Sequence, residues 1–154
     1  MALAVAAMTS CGSKKPVVTT ASYHNYETEC MGKSMDGKQT LRVWASGRDR
    51  NDAINEAKKK AAYEVTFQGI TAGRGECNAY PIIDQPSLRQ TKSEYFDKFF
   101  SDKGAYRKYV KVEIKKSDMD MLQGDNHQMY EVIVEVDRSG LRQHFIKDKV
   151  LPWN

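Results

Sequence analysis

The sequence predicts an α+β fold: an antiparallel sheet of about four strands with two to three helices packed on one face. Two observations carry that expectation. Strands are expected over 26–34, 39–47, 106–116 and 128–137, the first from its place before a hairpin turn and the others from the two-residue period of half-buried strands at 41–45, 110–114 and 130–136. Between the two strand pairs, apolar residues recur every three or four positions, the period of an amphipathic helix. The order is strand, strand, helix, extended segment, helix, strand, strand, helix. No strand-helix-strand repeat calls for a parallel sheet, and helices layered on an antiparallel sheet bury both kinds of apolar face.

The first two strands flank Asp36-Gly37, a dipeptide that readily takes the positive φ angles of a hairpin turn. In the second, Leu41, Val43 and Ala45 alternate with Arg42 and Trp44, so one face is apolar and the other amphipathic. A helix is expected over 51–68, capped by Asp49 or Asn51 accepting from the free amides of its first turn. Ile54, Ala57, Ala61 and Val65 form its buried stripe, the alanines allow close approach, and Gly69 ends it as a C-cap. The stretch 71–84 reads as a turn at Gly73-Arg74-Gly75 followed by a short strand or extended segment from Cys77 to Ile83, limited by Pro81. Thr91 with Glu94 has the spacing of a capping box, which starts a second helix over 92–102 that Gly104 closes. Its aromatics Tyr95, Phe96, Phe99 and Phe100 sit at helical spacing, and core packing explains them before a cofactor or lipid contact does.

The last two strands, over 106–116 and 128–137, join through a polar loop at 117–127. Lysines on the first face glutamates on the second, a pairing worth a fraction of a kcal/mol at a surface. Asp137 caps a final short helix with Leu141, Phe145 and Ile146 inward, and Val150-Leu151-Pro152-Trp153 packs back.

Composition bounds the function. The chain has 154 residues, 40% hydrophobic and 29% charged, which is one globular domain with a core able to fold unaided. A net charge of +4 from 24 basic and 20 acidic residues is spread out, and Lys58-Lys59-Lys60 is the one basic run. On a helix those lysines fan over more than half the circumference, a solvated face and not a nucleic-acid stripe. No apolar run approaches the roughly 20 residues of a spanning helix.

The N-terminus is more specific. Ala2 to Met8 are small or apolar, Thr9 and Ser10 follow, then Cys11. This resembles the lipobox of a bacterial lipoprotein signal, with residues 1–10 as the remnant of the leader. Cys11 is the acceptor of the lipid, residues 11–24 form the tether, and 25–154 form the single domain. A terminal helix around a buried thiol is the alternative, and Gly12-Ser13-Lys14-Lys15-Pro16 stops it at once. Each buried methylene of an acyl chain adds about 0.8 kcal/mol to membrane binding, so several chains anchor durably. By analogy with lipoproteins exported on an acidic signal, Lys14-Lys15 implies retention on the periplasmic face of the outer membrane.

Cys30 and Cys77 then remain as an even pair in an oxidising space. Bonded, they close a loop of about 48 residues and limit the unfolded chain by about 4 kcal/mol; two separate thiols are the other reading.

The search for chemistry finds no catalytic residues, no metal ligands and no cofactor motif. His24, His127 and His144 lack zinc spacing, and no cysteine pair has short ligand spacing. Asp118, Asp120 and Asp125 around Gly124 do not match a calcium loop and read as a solvated acidic turn. Gly73-Arg74-Gly75 lacks the lysine and hydroxyl of a phosphate loop.

The run from Val43 through Gly47 to the alanines at 53, 57 and 61 resembles a small outer-membrane lipoprotein family. That family's domain also forms the N-terminal part of a flagellar collar assembly protein. The segment Tyr95-Phe96-Asp97-Lys98-Phe99-Phe100 with Gly104-Ala105-Tyr106 resembles lipoproteins of gut-type Bacteroidetes. The resemblance implies fold and location, with no catalytic residue to carry over. The expected function is a non-catalytic binding or assembly module that engages an envelope protein or a cell-wall polymer. Its candidate surface residues are Trp44, Arg74, Tyr80 and Trp153. The alternative is a small-ligand binder or enzyme using the 73–84 loop with Arg74, Glu76 and His127.

Overall fold

The computed structural model describes residues 28–74, 76–114, 119–123 and 128–153. Cys11, the tether and His127 lie outside them, as does most of the acidic loop.

The chain begins with β1 (Glu29–Lys33), a four-residue turn and β2 (Lys38–Gly47). Gly37 supplies the positive φ the turn needs, and its amide donates to the Ser34 carbonyl at 3.0 Å. Lys38 and Ser34 hold the Asp36 carboxylate in the turn and lower its pKa to about 2. The β1–β2 register shifts between Cys30 and Gly32, a bulge that turns Met31 out to solvent.

Helix α1 (Arg50–Phe67) follows, and the Asp49 side chain accepts from the amides of Asn51 and Asp52 at 2.7 and 3.0 Å. Ala57, Ala61 and Val65 of the expected stripe are sealed against the sheet, with Ala53 and Ala62 beside them, while Ile54 is only half-buried at its edge. Gly69 ends the helix at a φ of 79°, its amide donating to the Glu64 carbonyl. A Cβ at Gly69 would run into the Ala79 carbonyl, so the position is closed to other residues twice over.

The stretch after α1 departs from expectation. Its strand is β3 (Ala72–Gly73), which lies ahead of Cys77–Ile83 and pairs with β1 in parallel. Gly73 at a φ of 102° lies against the Cys30 backbone, where a side chain has no room. The 77–83 segment is irregular because its backbone serves α1 instead of a strand. The amides of Ile82 and Ile83 donate to the carbonyls of Val65 and Thr66, and Arg138 donates to Val65 as well. Carbonyls that a helix end leaves open are thereby satisfied.

The second helix also starts elsewhere. Pro86, suited to a first helical position, opens α2 (Pro86–Thr91), and α3 (Ser93–Phe99) follows after a break at Lys92. The Thr91 hydroxyl donates back to the Leu88 carbonyl, so the expected Thr91–Glu94 capping box does not form.

The strand expected over 106–116 shortens to β4 (Val110–Val112), because Ala105–Tyr109 coils into a 3-10 turn. Three residues per turn place Tyr106 and Tyr109 on one side, toward the core. The expected polar loop contains a strand, β5 (Met121–Gln123), paired with β6 (Gln128–Asp137). Helix α4 (Arg138–Lys147) closes the fold, with the Asp137 side chain accepting from the Gly140 amide at 2.8 Å.

Among the described residues the sheet runs β3-β1-β2-β6-β4, with β5 also on β6. It is α+β as predicted, with more strands than four, and mixed through the parallel β1–β3 pair. One core joins the sheet to the helices, through Leu41, Val43, Val132 and Val134 on one side and α1, α3 and α4 on the other. On the opposite face, Arg42 pairs with Glu29 and Glu131, and Lys38 with Asp36 and Glu135. Of the lysines expected to face glutamates, Lys111 stands opposite Glu135 in register, while the ion pair to Glu135 comes from Lys38 across the sheet. Among the described residues no helix is long and apolar enough to cross a membrane.

Candidate functional site

Two concave features are built where α3 meets the rest of the fold. The first is a groove of about 720 Å³ between the outer side of α1 and the α2–α3 pair. Lys59, Tyr63 and Phe67 recur every four residues along α1, which sets them in one row facing α2 and α3. The floor is aromatic. Tyr63 lies 5.0 Å from Phe67 and 5.5 Å from Phe100, and Phe67 lies 5.0 Å from Phe96, between ring centroids. Tilted and edge-to-face contacts of this kind suit the ring quadrupoles. The Arg89 guanidinium from α2 covers the floor, 4.9 Å above the Tyr63 ring and 5.1 Å above Phe67. Asp84 and Asp97 stand on the rim.

The second is a hydrogen-bonded chain of four side chains. The Tyr109 hydroxyl is 2.8 Å from His144 Nδ1, His144 Nε2 is 3.1 Å from Asp148 Oδ2, and the Tyr95 hydroxyl donates to that oxygen at 2.7 Å. It borders a pocket of about 400 Å³ lined also by Phe99 and Gly104. Hydroxyl, imidazole and carboxylate in a row share the layout of a nucleophile, its base and an orienting group. Burial raises the Tyr109 pKa, with Asp137 and Asp148 adding to it, so the phenol is held protonated. Tyr95 is raised further, by burial first and then by its bond to Asp148. The chain clamps α3, the 3-10 turn and α4 together.

These shifts fix an alkaline behaviour. Unfolded tyrosines ionise near pH 10, whereas Tyr95, Tyr106 and Tyr109 ionise higher in the fold. Their contribution to stability is full below pH about 10 and is lost as pH rises toward the folded values. Tyrosinate absorbance from these three rings should therefore appear only with unfolding. Ionisation of Tyr95, Tyr106 and Tyr109 near pH 10 in the folded protein would contradict the packing.

Compared with protein-family models, curated proteins and solved structures, the chain matches none. The residues themselves therefore carry the functional reading.

Cys30 and Cys77 form a disulfide with their Cα atoms 5.8 Å apart, and the Cys77 amide also donates to the Cys30 sulfur. The four candidate surface residues lie on separate elements. Trp44 is half-buried on the open face of β2, Arg74 is exposed beyond β3, and Tyr80 and Trp153 are 81% and 83% exposed. None of them lines the groove or the Tyr95–His144 pocket. Val150 and Leu151 pack back as predicted, leaving Trp153 in solvent. Arg74 and Glu76 are both exposed, and the 73–84 loop contributes Ile83 and Asp84 to the groove instead. Sequence reasoning had placed Phe96 and Phe100 in the core but did not foresee Arg89 over Tyr63 and Phe67. Nor did it see the tyrosine–histidine–aspartate chain, although Asp148, the C-cap of α4, stands four residues after His144.

Proposed function

We propose that this chain is a non-catalytic, lipid-anchored module of the bacterial cell envelope, attached through Cys11 on the periplasmic face of the outer membrane. Its domain serves as the binding or assembly part for an envelope protein or a cell-wall polymer. The observation that carries this reading is the Cys30–Cys77 disulfide, since such bonds persist in oxidising compartments and are rare in the cytosol. With those two paired, Cys11 is the third and last cysteine of the chain, and it sits in the lipobox-like run. The resemblance of 43–70 to envelope lipoproteins points the same way.

A second reading, a small-ligand-binding protein, is favoured by the aromatic groove, which has the size and lining common to ligand sites. The two readings are compatible, because an anchored domain can present a groove.

Intact-mass measurement decides the address. Protein from the membrane fraction of a host that processes lipoproteins should begin at Cys11, carry acyl chains and gain two hydrogens on reduction. A chain that retains residues 1–10 with three free thiols would overturn it.

A further inference from the structure

The groove between α1 and α2–α3 contains both signs of charge, and they are not paired with each other. Among the described residues Arg89 makes its contacts with the Tyr63 and Phe67 rings, and no ion pair joins it to Asp84 or Asp97, which line the same groove. Lys59, also in the lining, has a distant carboxylate partner in exposed Asp102 at 3.8 Å. A guanidinium held over a ring face still has N–H groups to offer a carboxylate, which it can grip with two parallel bonds.

We infer that this groove binds a short unblocked peptide with an aromatic or bulky apolar side chain. The peptide's carboxylate meets Arg89, its ammonium meets Asp84 or Asp97, and its side chain takes the ring faces of Tyr63 and Phe67. Charge complementarity selects this class. A purely anionic ligand meets two carboxylates on the rim, and a purely cationic one meets Arg89 and Lys59. An uncharged apolar ligand offers no partner to Arg89, Asp84 or Asp97, which stand exposed around the groove. A zwitterion with an apolar middle satisfies both signs and the floor. Arg89 acts as the cover: its cation–π contact at an exposed position is weak, so an incoming ring displaces it and the freed guanidinium turns to the carboxylate. The volume of about 720 Å³ lies within the range of pockets that hold ligands of this size.

This inference rests on the binding-module reading and names the ligand class of its groove. The test is a titration of the full, disulfide-bonded chain followed by two-dimensional NMR, with alanyl-phenylalanyl-alanine as the probe at millimolar concentration. Shifts should saturate and centre on Tyr63, Phe67, Arg89 and Phe96. Acetylating the peptide's amine or amidating its carboxylate should each weaken binding about tenfold, the scale of one charge-assisted hydrogen bond. Arg89→Gln, at an exposed position that leaves the core intact, should bind the acid and amide forms equally. The Asp84→Asn/Asp97→Asn double variant should likewise cease to distinguish the amine from its acetyl form. Absence of saturable shifts, shifts centred elsewhere, or blocked peptide binding as well as unblocked would each overturn the inference. Those outcomes leave the envelope address standing, because intact mass decides it separately.

Discussion

Phe145→Ala should cost about 3–5 kcal/mol of folding stability, the largest loss expected from any single truncation here. The side chain is fully buried, and its ring centroid lies 5.0 Å from Phe99, 5.9 Å from Phe96 and 6.4 Å from Tyr95. It is thus the knob on α4 around which α3 is seated. Removing it opens a cavity that the flanking rings cannot fill without leaving their own contacts. Each kcal/mol shifts the melting temperature of a domain this size by about 2–4 °C, so a drop of about 10 °C is expected. Urea unfolding should show the midpoint falling with the slope unchanged. The Tyr95–Asp148 bond depends on the same docking, so the Tyr95 phenol should titrate earlier in the variant. A loss below about 1 kcal/mol would mean that α3 is not held on α4 in this way.

Loss of the Cys30–Cys77 bond ranks second. Closing a loop of this length limits the unfolded chain by about 4 kcal/mol in the entropy account, and removing a native bond from a small secreted domain typically costs about 2–5 kcal/mol. The Cys30→Ser/Cys77→Ser double variant should show that loss in urea without leaving a free thiol. Local effects should exceed the global one around β3. Its two residues pair with β1 beside the bond, and the Arg74 amide donates to the Cys30 carbonyl. Amide exchange at 70–83 should therefore speed up more than exchange in β2 or β6. Equal stability in the oxidised and double-serine forms would show that the core alone orders this segment.

How far the sequence foretold these features follows from the range of the interactions behind them. Asp49 as cap, the alanine stripe and Gly69 as terminator act within a few residues, and α1 came out within one residue at each end. The β2 and β6 strands announced themselves through every-second-residue apolar positions, Leu41, Val43 and Ala45 in one and Tyr130, Val132, Val134 and Val136 in the other. Short elements carried no such signal. Three residues of β5 and two of β3 are strands only because β6 and β1 lie beside them. At 105–109 the strand reading ran too far back: Tyr106 and Tyr109 stand three apart, which a strand would send to opposite faces and a 3-10 turn sets on one. The site was the least visible part. The chain of bonds from Tyr109 to Tyr95 spans 35 and 53 residues of sequence, and Arg89 finds Phe67 and Tyr63 across two helices. No periodicity encodes such meetings; a supporting partner only becomes visible once the backbone has brought it near.

The place of the disulfide has a mechanical consequence. Cys30 is the second residue of β1, so tension applied to the N-terminal segment reaches it almost at once. From there the load divides, part into the β1–β2 hydrogen bonds and part through the covalent link into the 77–83 segment seated beneath the end of α1. An antiparallel strand pulled from its end ordinarily unzips one bond at a time. Here the zipper is stapled one residue in, so a tug that would peel an unlinked β1 must instead shift the loop, the helix end and the strand together.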